Sequence, residues 1–481
     1  MIERIRELER AARALEPDAA IREAWLGEVS AYARAFLDAL PEAPAYMATA
    51  GKGEGLLTSP LAEEGIPLEQ ALALLGQYVD RPGVNPASGR FLGYIPGGGL
   101  FPSALGDFLA AIANRYSGIF FASPGAVRME NMLLDWMAEV VGYPAGYGGT
   151  LTSGGSIANL VGIVTARDVH EIEGERIGCA VVYLSEHTHH SVDKALRIAG
   201  LGGVIQRRVP VDERYRMDAA ALADLIAHDR EAGLEPWLVV ASAGSTNTGS
   251  VDPLEAIATI AHDNGLWLHI DGAYGGFFIL CDSGREILHG MERSDSLVMD
   301  PHKSLFLPYG TGAVLVREGE QVLETHHYLA DYMQDTVQAM EEPSPADFSP
   351  ELTRHFRGLR LWLPLKLFGV APFRAALEEK ILLTRYFHRR LAELPGFEVG
   401  PEPDLSVFVY RYLPRHGDPD RFNRLLIERL QQEGRIFVSS TQVADQFVLR
   451  AAVLSFRTHL DDVEEALERL VAAAGQLEET R

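Results

Sequence analysis

Residues 296–317, SLVMDPHKSLFLPYGTGAVLVR, read as a short apolar strand, a turn carrying Asp300, His302 and Lys303, and a second apolar strand. Upstream, CAVVYLS at 179–185, PWLVVASA at 236–243 and LWLHID at 266–271 repeat the first half of that pattern, each ending in a turn that bears Gly, Ser or His. Segments with apolar residues at helical spacing lie between them. This alternation predicts an α/β protein with a mostly parallel central sheet. Ligands of such sheets gather where strand C-termini open into loops, so the turns are where chemistry is expected.

Outward from this centre the chain changes character. Ile21 to Leu40 and Leu68 to Val79 carry helical periodicity around the loop-like AYMATAGKGEGLLTSP, which predicts an N-terminal helical segment over 1–88. The sheet domain is expected over 89–371. A smaller α/β domain is expected over 372–481, with strands such as SVFVYRY and RIFVSS and a final helix from Asp461 to Leu477. Between Glu324 and Pro350 a polar stretch ending in EEPSPADFSP is too long for an ordinary connection and reads as an active-site loop.

A chain of 481 residues, 47% of them hydrophobic, is long enough for two or three domains. Its net charge of −24 argues against nucleic acid and anionic membrane surfaces as partners. Two cysteines, Cys179 and Cys281, make no disulfide framework and suit a reducing compartment, with the cytoplasm as the expectation. MIERIRELERAARALEP has no signal-peptide core, and no apolar run is long enough to span a membrane.

Four turns together hold what a phosphorylated pyridine aldehyde needs. LTSGGSIANL places Gly154, Gly155 and Ser156 at a helix start, where free N–H groups favour phosphate, although the same residues also suit a tight turn and N-cap. WLHIDGAYGGF puts Asp271 at a strand end, where a carboxylate beside a pyridine nitrogen keeps it protonated, or else caps a helix. EHTHHSVDKA supplies His189 as an aromatic plate opposite Ala273. No carboxylate set at ligand spacing accompanies these histidines, so no metal is expected. Lys303 offers an amine for a Schiff base and takes that role from its company; His302 beside it is placed to donate to phosphate.

TSGGSIANL, HTHHSVDKA, ASAGSTNTGSVDP, HIDGAYGG and DPHKSLF resemble the group II pyridoxal-phosphate decarboxylases, and among them the aromatic L-amino-acid decarboxylases. YIPGG, FFASPGAVRMENMLLDWM, HFRGLRLWLPLKLFGV and VLRAAVLSFRT extend the likeness from about Pro67 to Arg457. The resemblance implies a homodimer of fold type I subunits with active sites at the interface, and pyridoxal 5′-phosphate as cofactor. It makes Lys303 the residue that carries the cofactor, Asp271 the pyridine-nitrogen partner, His189 the stacking ring and Ala273 the small residue beneath. Thr246 is similar to the residue near the cofactor oxygen and substrate carboxylate, and Gly155, Ser156 and His302 match phosphate positions. Asp300 stands where aromatic decarboxylases commonly have Asn; a carboxylate there repels phosphate unless it is protonated or turned to a backbone donor.

The resemblance also makes RFLGYIPGGG a substrate-pocket segment, with Tyr94 and Ile95 against the side chain and Phe120 as a second wall, unless these aromatics are ordinary core. An aromatic amino acid is the expected substrate, with Arg90 leaving room for an acidic one. In the resembling enzymes a loop tyrosine protonates Cα after CO₂ leaves. DFSPELTR sets Phe348 at that place, with Tyr332 the nearest upstream tyrosine. The expected product is the amine, and the alternative is oxidative deamination to an aldehyde. An aminotransferase, a carbon–carbon lyase acting on a phosphorylated long-chain amine and a catalytically silent scaffold are the remaining readings.

Overall fold

The computed structural model describes residues 1–327 and 342–479. Seven strands form the large sheet: β4 (Gly148–Thr152), β5 (Ala180–Ser185), β6 (Ile205–Val209), β7 (Glu235–Ser242), β8 (Trp267–Asp271), β9 (Ser296–Met299) and β10 (Gly312–Val316). Their order across the sheet is β4-β10-β9-β8-β7-β5-β6. β6, β5, β7, β8 and β9 are mutually parallel, and β10 alone runs antiparallel to both its neighbours. Strands β5, β8, β9 and β10 are buried throughout, which explains why they read as continuous apolar runs rather than alternating ones. The chain direction across the sheet reverses between β5 and β7, and such a switch point opens a crevice beyond the strand C-termini.

The expected small C-terminal domain is a second sheet, β11 (Phe397–Val399), β12 (Val407–Tyr412), β13 (Phe437–Val443) and β14 (Gln446–Ala452), covered by the helices Ala371–Ala392, Pro419–Glu433 and Leu460–Glu479. The boundary at 89 needs a correction. Phe91–Leu92 (β3) pairs in parallel with Phe437–Val438 and completes this sheet, and the Phe91 ring stacks on Phe437 at 5.1 Å. A two-residue strand has no periodicity to read, so its partner is visible only in three dimensions.

The N-terminal segment is helical as expected: Ile2–Ala12, Ala19–Ala39 and Leu68–Leu75. Asp18 caps the second of these by accepting the Ile21 N–H at 2.9 Å. Tyr46–Met47 (β1) and Gly83–Val84 (β2) pair within the intervening stretch. None of the three helices buries a single residue, and Trp25, Leu26, Val29 and Phe36 lie exposed.

Candidate active site

Each parallel strand delivers its turn to the same side of the large sheet. β4 runs through Ser153 and Gly154 into the helix Gly155–Val169. β5 runs through His187 and His189 into the helix His190–Ile198. β7 leads to Ser245 and Thr246, β8 ends on Asp271, and β9 passes into the short helix Pro301–Ser304 that carries Lys303. These turns enclose a cavity of about 380 Å³. Gly155, Ser156, His189, Thr246, Asp271, Ala273, His302 and Lys303 all line it, so the structure gathers every residue expected around the cofactor.

The floor of the cavity is too tight for side chains. Gly154 adopts φ 150°, and a Cβ on Gly155 would stand 2.9 Å from Asp300 Oδ2 and 3.1 Å from Ala273 Cβ. The first residues of the Gly155–Val169 helix line the cavity, and N–H groups at a helix start are suited to receive an anion. Asp271, nearly buried, accepts from Asn159 Nδ2 at 3.0 Å and from the Ala273 N–H at 3.1 Å. His189 caps its helix, its Nδ1 accepting the Ser191 N–H at 3.2 Å. Burial pulls the His189 imidazole below its ordinary range, against the opposing pull of Asp271.

Two acidic and basic neighbours behave differently from expectation. His302 Nδ1 lies 2.6 Å from the Thr311 carbonyl, which can only accept, so the ring hydrogen sits there. Burial also lowers the His302 pKa. Neutral His302 thus presents Nε2 as an acceptor, and it donates to phosphate only as an imidazolium. Asp300 is 1% exposed; its Oδ2 lies 3.2 Å from Lys303 Nζ, and its Oδ1 has no hydrogen-bond partner among the described residues.

Sequence reasoning missed Asn159, Ser191, Ser245 and Tyr309, which also line the cavity. Asn159 had a signal: it stands four residues after Gly155, on the same helix face. Ser191 likewise follows His189 at the two-residue offset of a helix cap.

The expected substrate-pocket residues lie elsewhere in this chain. Tyr94 is exposed with φ 51° and packs near Phe91 and Phe437; Ile95 is buried in the large-domain core. Phe120 is buried under the Arg128 guanidinium, and its N–H donates to Ser344 Oγ at 3.0 Å. Arg90 does not reach the cavity: Nη2 donates to the Pro41 and Ala43 carbonyls at 2.6 and 3.1 Å, and Nη1 faces Asp462 and Glu465. Phe348 ends the 3₁₀ turn Pro345–Phe348 and packs half-buried against the apolar cluster around Val314, Val316 and Val322, outside this chain's cavity. That turn is held by a capping box between Ser344 and Asp347. Tyr332 lies outside the described residues.

Comparison with known proteins agrees with this geometry. Residues 76–413 match the model of the pyridoxal-dependent decarboxylase conserved domain. The chain is 33% identical over 429 residues to the aromatic-L-amino-acid decarboxylase of Bacillus atrophaeus, covering 88% of each. It is 28% identical to the phenylacetaldehyde synthase of Arabidopsis thaliana, over 82% of this chain and 84% of that one. Among solved structures, Oryza sativa TDC with PLP and tryptamine superposes with a TM-score of 0.90 at 27% identity, over 96% of this chain and 99% of that one. Lys303, Asp271, His189 and the start of the Gly155–Val169 helix line one crevice, and the chain belongs to the pyridoxal-dependent decarboxylase family.

Proposed function

We propose that this protein decarboxylates an aromatic L-amino acid to its amine, as a homodimer, with pyridoxal 5′-phosphate held by Lys303, Asp271, His189 and the Gly155 helix start. The convergence of those four groups in one cavity carries the reading. The residues fit the cofactor: the glycine floor leaves room that a Cβ would fill, Asp271 is a carboxylate fed by two N–H donors, and Lys303 is half-buried at the opposite turn.

The bound cofactor supplies a conjugated ring that accepts the electron pair released when CO₂ leaves Cα. Asp271 would be the carboxylate partner of the ring nitrogen and would maintain the ring's electron demand. His189 would offer the ring a flat plate, and Ala273 a small side chain that leaves it room. Lys303 would supply the amine that holds the cofactor covalently. Among the described residues no arginine of this chain lines the cavity. The aromatic class rests on the relatives, in particular the decarboxylase at 33% identity.

The N-terminal helices support the dimer. Their unburied apolar residues, and Phe101, Leu105, Phe108 and Ile112 exposed on the helix Phe101–Ala113, are the kind of surface that a second copy covers. The loop expected over 325–350 to reach the neighbouring subunit's site lies partly outside the described residues, and Tyr94, Ile95 and Phe120 are assigned to the substrate side of a shared site. No helix among the described residues is long and apolar enough to cross a membrane. The two free thiols suit the cytoplasm.

The deciding experiment is an amino-acid panel assayed together for CO₂, amine, aldehyde and ammonia, with borohydride trapping of the cofactor. Amine and CO₂ in equal amounts from an aromatic substrate, and a pyridoxyl group on Lys303 lost in Lys303→Ala, are expected. A requirement for an added 2-oxo acid would identify an aminotransferase instead.

A further inference from the structure

We infer that Trp267, Ser296, His269 and Asn159 form a single directed hydrogen-bond chain, running behind the cavity, that delivers an N–H to Asp271 and fixes the tautomer of His189. The inference rests on the cofactor reading above and assigns four positioning residues to it.

The direction follows from the two ends. The Trp267 indole can only donate, and the Asp271 carboxylate can only accept. Trp267 Nε1 donates to Ser296 Oγ at 2.8 Å. Ser296 Oγ lies 2.7 Å from His269 Nδ1, and His269 Nε2 lies 2.8 Å from Asn159 Oδ1. Asn159 Nδ2 then reaches Asp271 Oδ2 at 3.0 Å. Asp271 requires the amide nitrogen of Asn159 to face it, so Oδ1 faces His269 and His269 carries its hydrogen on Nε2. Nδ1 is left bare and takes the Ser296 hydroxyl hydrogen, which agrees with Ser296 receiving the indole N–H. Every link has one consistent orientation.

A branch leaves the chain at Asn159. Its second amide hydrogen goes to Ser191 Oγ at 3.0 Å, and Ser191 Oγ lies 2.6 Å from His189 Nδ1. The Ser191 N–H also points at that nitrogen, 3.2 Å away, so Nδ1 holds a lone pair on independent grounds. His189 therefore keeps its hydrogen on Nε2. Asn159 couples the carboxylate at the ring edge to the plate over its face.

The fold invests in this contact. Asn159, His269, Ser296 and Trp267 are all buried. Gly162, inside the Gly155–Val169 helix, is a poor helix former. A Cβ there would come 2.7 Å from His269 Cε1 and 3.2 Å from Ser296 Oγ, so the glycine lets the helix bring Asn159 down onto His269. Burial pushes His269 down to about 4, consistent with the neutral ring that the chain requires.

The test compares holoenzymes carrying His269→Leu, which has no donor, and His269→Gln, whose amide reproduces the same direction of bonding. For His269→Leu, cofactor affinity and kcat are expected to fall about tenfold or more while KM stays within about threefold, and His269→Gln is expected to recover most of the loss. Nitrogen-15 spectra of histidine-labelled wild type should show His189 protonated on Nε2 and bare on Nδ1. Equal behaviour of the Leu and Gln variants, or a protonated Nδ1 on His189, overturns the chain. If His269→Leu does not fold, Ser296→Ala carries the test: a cofactor dissociation constant raised several-fold supports the chain, and a wild-type value overturns it. Borohydride treatment of wild type that leaves no pyridoxyl group on Lys303 overturns the cofactor reading and the inference with it.

Discussion

Asp300 Oδ2 lies 3.2 Å from Lys303 Nζ, one helical turn away and almost wholly shielded from solvent. The amine that must attack an aldehyde thereby stands in contact with a carboxylate, and it must leave that contact to reach a carbonyl carbon, so the contact opposes cofactor attachment.

Asp300→Asn should therefore speed covalent capture of pyridoxal, the cofactor without its phosphate, by several-fold at neutral pH. Stopped-flow absorbance of the apoenzyme reads the rate directly. Capture at the wild-type rate would mean that the pairing does not restrain Lys303.

Asp271→Asn removes the negative charge with little change of shape, and turns one of the two oxygens that accept from Asn159 Nδ2 and the Ala273 N–H into a donor. The variant should retain cofactor and lose on the order of a hundredfold or more in kcat, as expected for an electrostatic partner of the reacting system. Single-turnover kinetics on the reconstituted variant check it, and turnover near wild type would place the ring away from this carboxylate.

Phe348→Tyr should not change the product. The side chain packs against the apolar cluster under the large sheet, so a new hydroxyl there should cost about 1–3 kcal/mol of stability for want of a partner. Amine, aldehyde and peroxide measured for both proteins decide the matter. A switch from aldehyde to amine would show instead that Phe348 stands in a neighbouring subunit's site.

The His269 ring gives a pH dependence with a definite sign. Its pKa is about 4 in the fold and near 6.5 in an unfolded chain, so between those values the unfolded state binds more protons. This contribution to stability is complete above pH 6.5 and is lost as pH falls toward 4. Denaturant unfolding from pH 7 to pH 4 should show a shallower loss for His269→Gln than for wild type. Parallel curves would mean that the histidine is not buried as a neutral ring.

Much of this site could be read in the sequence because each of its groups sits at the end of an apolar strand, beside a turn residue with a mechanical reason to be there. Lys303 in DPHKS, Asp271 in HIDGA and Gly155 in TSGGS are local signals, and a parallel sheet brings such strand ends together. His302 could not be read so well, because the acceptor that takes its hydrogen, Thr311, belongs to a turn nine residues on. Arg90 was misjudged for a related reason: adjacency to YIPGG suggested a substrate contact, yet its side chain turns the other way to tie down the Pro41 and Ala43 carbonyls. The chain from Trp267 to Asn159 was invisible because it crosses three elements and depends on which way an amide faces. Gly162 alone marked it, as an unexplained glycine in the middle of a helix.

The insertion of β10 between β4 and β9 joins the earliest strand of the large sheet to the rest through the latest one. Thr152, at the mouth of the anion site, pairs with Gly312, and Met299, just before the lysine turn, pairs with Ala313. The first strand of the sheet thus waits for the last before the two halves of the crevice are joined. Contacts so distant along the chain form late. A ribosome-bound chain ending before residue 312 would carry Gly155, His189, Asp271 and Lys303 and still lack the strand that ties β4 to β9, leaving the Gly155–Val169 helix to its own packing against β8 and β9.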